Sequence, residues 1–118
     1  MNSLLTLALL QQIIDQLPMN IFCRDTDGRY LFANKVFARE AGLQHPHELV
    51  GKTDAEMPWG DVFREEDQRL LAERRPLLHQ QLHCHSGGTT SWMEIHKIPL
   101  YDEQGHPLAL FAMISEID

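Results

Sequence analysis

Apolar residues along the chain change their spacing several times, and each change predicts a different element. Residues 2–17 carry leucine and isoleucine at helical spacing, with Ser3 as the N-cap and Pro18 just after the end. The apolar stripe consists of Leu7, Leu10, Ile14 and Leu17, and it is widened by Leu4, Leu5, Leu9 and Ile13. A helix with this much apolar surface must bury one side on its own domain and the other side elsewhere. The pattern leaves two compatible interpretations: a helix over its own sheet and a helix in a dimer interface.

Two strand-like segments and a second helix come next. Residues 20–25 (NIFCRD) and 29–34 (RYLFAN) predict short strands joined by a turn at DTDG. The two aspartates of this turn invite a calcium site, but the sequence lacks the further acidic ligands at calcium-loop spacing, which favours a simple turn. Asn34 then predicts the N-cap of a short helix that stops at Gly42.

The rest of the chain predicts one more helix and three longer strands. In residues 44–60 the apolar positions follow neither helical nor strand spacing, which predicts short helical turns and loop. Helical spacing returns over residues 61–75, where Asp61 is the predicted N-cap and Pro76 ends the helix. The strands cover residues 77–85, 91–100 and 108–117, with turns at Gly87-Gly88 and at DEQGHP. This order predicts an α+β fold: a five-stranded antiparallel sheet with a helical insertion on one face and the N-terminal amphipathic helix on the other.

Gly51-Lys52-Thr53 has the residues that end a phosphate-binding loop, but its surroundings do not fit one. The phosphate loop needs a glycine five residues earlier, and the chain has Pro46 there, which offers no N–H. A hydrophobic strand should come before such a loop, whereas AGLQHPHEL is typical of a helix end and a turn. The stretch is therefore predicted to shape the backbone rather than to bind a nucleotide.

Length, charge and cysteine content restrict the class of protein. The 118 residues are 43% apolar, which suits one folded domain. The net charge of −7 and the scattered lysines and arginines exclude a basic stripe, so direct nucleic-acid binding is not expected. Cys23 and Cys84 form neither a metal spacing nor a disulfide framework, which indicates a reducing, cytoplasmic location. The N-terminal apolar run stops at Gln11 and is too short for membrane insertion.

Several segments in the same order resemble the PAS sensor domain of bacterial histidine kinases and related regulators. IFCRDTDGRYLFANKVFAREAGL is similar to the first hairpin of that family and its asparagine-led helix. VGKTDAEM is similar to the loop that enters the pocket-side helices, and TSWMEIHKIPLYDEQGHPLALFAMISEID is similar to the last hairpin. The resemblance covers about residues 10–118. It divides the chain into an N-terminal dimerisation or capping helix, residues 1–17, and the PAS domain, residues 18–118.

The resemblance implies a function in signal transduction. A small molecule would bind in the cavity, and the domain would relay its state through dimer contacts to an output domain, foremost that of a sensor histidine kinase. The alternative is a ligand-free dimerisation or protein-interaction module of a transcriptional regulator or a cyclic-dinucleotide enzyme. In either case, catalytic activity would belong to a domain outside this chain.

Haem and flavin are not expected in the cavity. The resemblance implies that a flavin-photoadduct site would show Gly-x-Asn-Cys-Arg in the central helices, where this chain has no cysteine. A haem of the commonest PAS kind would use a histidine on the helix over residues 61–75, which contains none, although His79 lies just past its end. His83 and His85 share one strand face but lack a predictable third ligand. No cofactor, metal site or catalytic residue is predicted, and an unidentified small-molecule ligand is left open.

Alternation along the last two strands sorts pocket residues from interface residues. Met93, Ile95 and Lys97 share one face, and by resemblance to flavin-binding relatives this face lines the cavity. The pocket candidates are Phe22, Phe37, Met57, Trp59, His83, His85, Met93, Ile95, Ala112 and Ile114. The opposite face carries too much apolar surface to remain exposed to solvent, which predicts a homodimer. The interface candidates are Leu7, Leu10, Ile14, Leu17, Trp92, Ile98, Phe111 and Met113.

Overall fold

Five antiparallel strands form one sheet in the described part of the chain, and helices pack against one of its faces. The structure is a computed structural model that describes residues 6–86 and 89–117, with the side chains of residues 84–86 and 89 outside the description. The helices are α1 (Leu7–Asp15), α2 (Lys35–Glu40) and α3 (Arg64–Glu73), with 3-10 turns at Pro46–Leu49 and Asp54–Glu56. The strands are β1 (Asn20–Asp25), β2 (Tyr30–Ala33), β3 (Leu77–Ser86), β4 (Thr89–Tyr101) and β5 (Pro107–Ile117). Their order in the sheet is β2-β1-β5-β4-β3, which confirms the predicted α+β fold.

Two of the hairpin turns use the same local chemistry. The Asp25 carboxylate accepts the N–H groups of the residues two and four positions later, at 2.9 and 3.0 Å, and Asp102 does the same at 2.9 Å for both. Gly28 and Gly105 each take a φ of +83°, which side chains disfavour. The turns predicted from DTDG and DEQGHP are thereby confirmed, whereas the Gly87-Gly88 turn lies outside the described residues.

The core lies between the inner face of the sheet and the helical insertion. The ring centroids of Phe22 and Phe37 are 4.5 Å apart, and Tyr30 completes the aromatic cluster with both of its centroid distances at 5.7 Å. Smaller buried side chains fill the space around the rings: Ala33, Ala38, Ala41, Leu49, Met57 and Ala112. Burial of this apolar surface is the main stabilising contribution to the domain.

Asn34 joins four segments of the backbone, and its side chain is fully buried. Its Oδ1 accepts the N–H of Phe37, as an N-cap should, and also the N–H of Ile21, both at 3.1 Å. Its Nδ2 donates to the carbonyl oxygens of Ile14 and Met19 at 3.0 and 2.7 Å. The predicted cap is therefore also the residue that ties α1 and β1 to α2.

The helix α1 is attached at its C-terminal half. Gln11 Nε2 donates to the carbonyl of Ala33 at 2.8 Å, and the Asp15 carboxylate accepts the N–H of Lys35 at 2.9 Å. None of its residues is fully buried, and Leu7 is 85% exposed. Among the described residues, no helix is long and apolar enough to cross a membrane.

Two helix starts differ from their predictions. The described part of α1 begins at Leu7, where Thr6 Oγ1 accepts the N–H of Leu9 at 3.1 Å, and the predicted cap Ser3 lies outside the described residues. Asp61 does not cap α3, because turns occupy the residues just before it and Arg64 is the first helical residue. The helix ends two residues before the predicted stop, because Arg74 takes a left-handed φ of 57°.

The Gly51-Lys52-Thr53 stretch pairs with β2. The N–H of Gly51 donates to the carbonyl of Tyr30 at 2.8 Å, and the N–H of Tyr30 donates to the carbonyl of Lys52 at 2.9 Å. A bridge between Arg29 and Thr53 extends this pairing, and Gly51 turns the chain with a φ of +85°. Because the Gly51 N–H already has a backbone partner, the stretch differs from a phosphate-binding loop in hydrogen bonding as well as in sequence.

Asn34→Ala is expected to lower the free energy of unfolding by about 3 kcal/mol, because buried N–H and carbonyl groups lose their partners. Urea unfolding followed by circular dichroism measures this change, with an unchanged slope showing that the folded state keeps its compactness. Gln12→Ala, at an exposed position of α1, is the control and should change stability by less than about 0.5 kcal/mol. A loss below 1 kcal/mol for Asn34→Ala, on the order of one ordinary hydrogen bond, would contradict its role as a joint.

Candidate functional site

A cavity of about 780 Å³ lies between the inner face of the sheet and the helical insertion. The sheet side is formed by β1, β3, β4 and β5, and the opposite side by α2 and the segment from Pro58 to Phe63. The apolar wall consists of Phe22, Phe37, Trp59, Met93, Ile95 and Ile114. Its size is in the range of pockets that hold small molecules.

The aromatic part of this wall is held in place by ring contacts. Phe37, at the start of α2, has its ring centroid 5.4 Å from that of Trp59. Phe22 also stacks on Phe37, with an interplanar angle of 30°. Three rings from three segments thus form a continuous surface, which suits the flat face of a ligand.

Buried charges form the polar floor of the cavity. Arg24 Nη1 binds the Asp54 carboxylate, and its Nη2 lies 2.6 Å from Asp67 Oδ2. Lys97 Nζ lies 2.8 Å from Asp67 Oδ1 and 3.0 Å from Glu66 Oε1. Arg24 and Lys97 are only 3% and 2% exposed, so each cation depends on these partners to offset its desolvation.

Asp54 connects the polar floor to the aromatic wall. Its carboxylate accepts hydrogen bonds from the Tyr30 hydroxyl, from Arg24, and from Trp59 Nε1 at 2.9 Å. The short helical turn that begins at Asp54 is held by Glu56, whose carboxylate accepts the N–H of Thr53 at 2.8 Å. That hydrogen bond also lowers the pKa of Glu56. The loop after Gly51 therefore positions a carboxylate at the base of the site.

Burial sets the ionisation of three further groups. It raises the pKa of Asp67, while the Arg24 guanidinium and the Lys97 ammonium act in the opposite direction. Burial, together with the hydrogen bond to Asp54, raises the pKa of Tyr30 well above its usual value, so its hydroxyl is a neutral donor. Burial also raises the pKa of Cys23 to about 11, and a protonated thiol of this kind is a poor nucleophile.

Two polar atoms of lining residues have no hydrogen-bond partner in the described part of the chain. They are Arg24 Nε, a donor, and Asn20 Oδ1, an acceptor, and both are buried. Buried polar groups without partners are uncommon in folded proteins. Because both residues line the cavity, the described chain leaves one buried donor and one buried acceptor without a hydrogen-bond partner next to it.

Six of the ten predicted pocket residues line the cavity, and three others, Met57, Ala112 and His83, do not. Met57 and Ala112 are in the packed core. His83 does not face the cavity: it pairs with Trp92 across the strands, and their rings stack at 4.7 Å on the outer face. The reason is that Leu82, its neighbour in β3, takes the inward position opposite Met93. The side chain of His85 lies outside the described residues, and ligand binding by any of these residues stays a prediction.

The interface candidates differ in exposure. On α1, Leu7 and Leu10 are exposed, whereas Ile14 is partly buried next to Asn34. Leu17 is also exposed, but it lies after α1, which ends at Asp15 and not at the predicted residue 17. On the outer face of the sheet, Trp92 is 48% exposed, and Ile98, Phe111 and Met113 are partly buried. Their apolar surface is therefore available in the single chain, and their role in dimerisation stays a prediction.

The ion network was only half visible in the sequence. Alternation placed Lys97 on the same face as Ile95, which the family resemblance assigned to the cavity, and the same rule applied to β1 places Arg24 beside Phe22. A cation at an inward strand position demands a buried anion. The partners come from a loop and from α3, and no sequence period relates Asp54 or Asp67 to the strands.

Residues 14–118 match the PAS fold family, and the chain belongs to this family. It is a PAS sensory domain, the class that the sequence motifs predicted. A search of curated proteins gave no match.

Solved structures share the fold at low sequence identity. VqmA of Vibrio cholerae, described as a dimer in the absence of target DNA, is 23% identical with a TM-score of 0.78, and the match covers 97% of this chain and 53% of that one. A structure described as VqmA bound to DPO is 22% identical with a TM-score of 0.77, covering 96% and 58%. The PAS domain of Bordetella pertussis BvgS is 24% identical with a TM-score of 0.74, and the match covers 95% of this chain and 86% of that one. The chain thus spans little more than half the length of the VqmA chains.

Asp54→Asn is expected to lower the free energy of unfolding by about 3 kcal/mol, because it removes the charge paired with a buried guanidinium. In a Trp92→Phe background, Trp59 is the sole tryptophan, and its emission should shift as the indole N–H loses its carboxylate partner. The matched control is Asp61→Asn, whose carboxylate is 45% exposed and which should leave both readouts unchanged. Equal effects of the two substitutions would show that Asp54 does not organise the site.

Proposed function

We propose that this domain senses a small molecule bound in the cavity and relays the bound state to an output domain through dimer contacts. The observation that carries the proposal is the cavity of about 780 Å³, with an aromatic wall and a charged floor. A ligand-free relay module would fill this space with its own side chains. Met57 and Ala112 do pack into the core, yet the cavity beside them persists.

The chemistry of the lining defines the kind of ligand that fits. The aromatic surface of Phe22, Phe37 and Trp59 favours a flat, apolar body. Arg24 and Lys97 are already paired with three carboxylates, of which only Asp54 lines the cavity, and this pairing disfavours a dianionic ligand. Arg24 Nε is buried and has no partner in the described chain, so a small movement of the lining would let it donate to a neutral acceptor such as a carbonyl oxygen or a ring nitrogen. We therefore propose a small, neutral, heteroaromatic or carbonyl-bearing molecule, and neither haem nor flavin.

The relatives support this reading of the cavity. VqmA has the same fold and is described in complex with DPO. At 22% identity the likeness concerns the fold alone, and the ligand that fits this chain depends on its own lining residues. Arg24 on β1 and Lys97 on β4 both line the cavity. These two residues would contact the polar end of the ligand.

Dimerisation and an output domain complete the proposal. The exposed stripe of α1 and the half-exposed outer face near Trp92 offer apolar surface for a second copy of the chain. VqmA is described as a dimer with DNA-binding mechanisms of LuxR-type receptors, and its chain is almost twice as long as the matched part. We propose a cytoplasmic protein in which a histidine kinase or a helix-turn-helix domain provides the output, and any catalysis would take place there.

Ligand binding is tested by native mass spectrometry of freshly purified protein and by thermal shift with neutral heteroaromatic metabolites. We expect a non-covalent adduct or a raised melting temperature in the wild type, and the loss of either in Met93→Trp, which fills the cavity with a larger side chain. Leu100→Trp is the control, since Leu100 is 40% exposed on the same strand and lies outside the cavity lining. If the wild type carries no adduct and no compound shifts its melting temperature, the ligand-free relay is correct instead.

Self-association is tested by sedimentation of the wild type and of Leu7→Asp/Leu10→Asp. The wild type should sediment as a dimer at tens of micromolar, because burying large aliphatic side chains contributes roughly 1.5–3 kcal/mol each. The double variant should sediment as a monomer with an unchanged circular dichroism spectrum. Gln12→Asp places a charge on another face of α1 and should leave the dimer intact. A monomeric wild type would restrict the stripe to packing within one chain.

A further inference from the structure

Two histidines and a glutamate converge on the outer face of the sheet, away from the cavity. Glu94 Oε2 lies 3.4 Å from His79 Nδ1, and Glu94 Oε1 lies 3.1 Å from His96 Nε2. The two imidazole centroids are 4.5 Å apart, and one ligand atom from each residue falls within 4.8 Å of the other two. These hydrogen bonds lower the pKa of Glu94, so the carboxylate is present in its ionised form.

A bulge in β3 brings His79 to this position. Leu77 pairs with Lys97 and Gln80 pairs with Ile95, so two residues of β3 stand opposite the single residue His96. Without the extra residue, His79 would share the inward face with Leu77. The bulge instead turns His79 outward, toward the side chain of His96, as bulges commonly re-aim side chains near functional sites.

His79 adopts its conformation against its own preference. Its φ is 58°, in the left-handed region that side chains disfavour and that glycine adopts most readily. The ring is 74% exposed, so core packing does not explain why an imidazole stands at this position. A strained backbone conformation beside two side chains that can bind metal, Glu94 and His96, suggests that His79 has a function.

We propose that His79, Glu94 and His96 bind a zinc ion. Two imidazoles and one carboxylate are a zinc ligand set that leaves a fourth position for water. Bonds of about 2.0–2.1 Å in a tetrahedron place neighbouring ligand atoms about 3.3 Å apart, close to the 3.1 Å between Glu94 Oε1 and His96 Nε2. The three ligand atoms lie within 4.8 Å of one another, so His79 would move inward to complete the site. The zinc ion would replace the proton between His96 Nε2 and Glu94, and the neutral ring would then carry its proton on Nδ1. The 3.4 Å contact from the His79 N–H to that nitrogen would be given up.

A zinc ion at this site would fasten the edge strand β3 to β4. Glu94 and His96 flank Ile95, whose side chain lines the cavity from the other face. The metal would therefore stabilise the backbone of β4 at Ile95, which forms part of the cavity wall. The site itself requires no ligand in the cavity and does not depend on the proposed sensory function.

The test is isothermal titration of Zn²⁺ into tag-free protein, alongside thermal unfolding at increasing Zn²⁺. We expect one ion per chain and a melting temperature that rises with zinc concentration. His79→Gly, His96→Ala and Glu94→Gln should each weaken binding by at least about tenfold, while His106→Ala, an exposed histidine outside the site, should not.

His79→Gly separates a ligand from a structural residue. Because glycine relieves the left-handed conformation, this variant should fold with an unchanged or higher melting temperature in the absence of metal. A loss of zinc binding in such a folded variant supports the site. The proposal is overturned if the wild type shows no binding to millimolar Zn²⁺, or if His79→Gly and His96→Ala bind zinc as tightly as the wild type.

Discussion

The pairing of Arg24 with Asp54 and Asp67 is the constraint on which the rest of the domain depends. It joins β1 to the loop after Gly51 and to α3, three segments that are far apart in sequence. Lys97 adds β4 to the same network through Asp67. A buried charge tolerates few geometries, because each lost partner leaves a desolvated ion. The network therefore fixes how the helical insertion sits over the sheet, and with it the shape of the cavity.

The same network connects the aromatic wall of the cavity to its charged floor. Asp54 accepts from both Tyr30 and Trp59, so the aromatic wall takes its orientation from the charged floor. A ligand that engages Arg24 or Lys97 would compete with these carboxylates. Through them it would act on α3, and a sensor of this design would convert a change in hydrogen bonding into a change in helix position.

Most of the fold followed from local patterns, while the site did so only in part. The turns, the strands and the Asn34 cap depend on residues close in sequence. Alternation put Met93 and Ile95 on one face of the strand, and the family resemblance assigned that face to the cavity. Prediction of His83 as a pocket residue was wrong because the register of β3 is set by its pairing with β4 and by the bulge at His79. The role of Asp54 as a buried counter-ion is a long-range property that sequence spacing does not show.

The pairing of Gly51-Lys52 with Tyr30 has a consequence for how the sheet can grow. At the β2 edge, the backbone groups of Tyr30 are already engaged by the chain's own loop, which blocks an incoming strand there. At the opposite edge, β3 is interrupted by its bulge and continues regularly only from Gln80 toward Ser86. An extended peptide that adds to the sheet would therefore meet the chain's own loop at Tyr30 and, on the other edge, would pair regularly only with the described stretch of β3 that begins at Gln80.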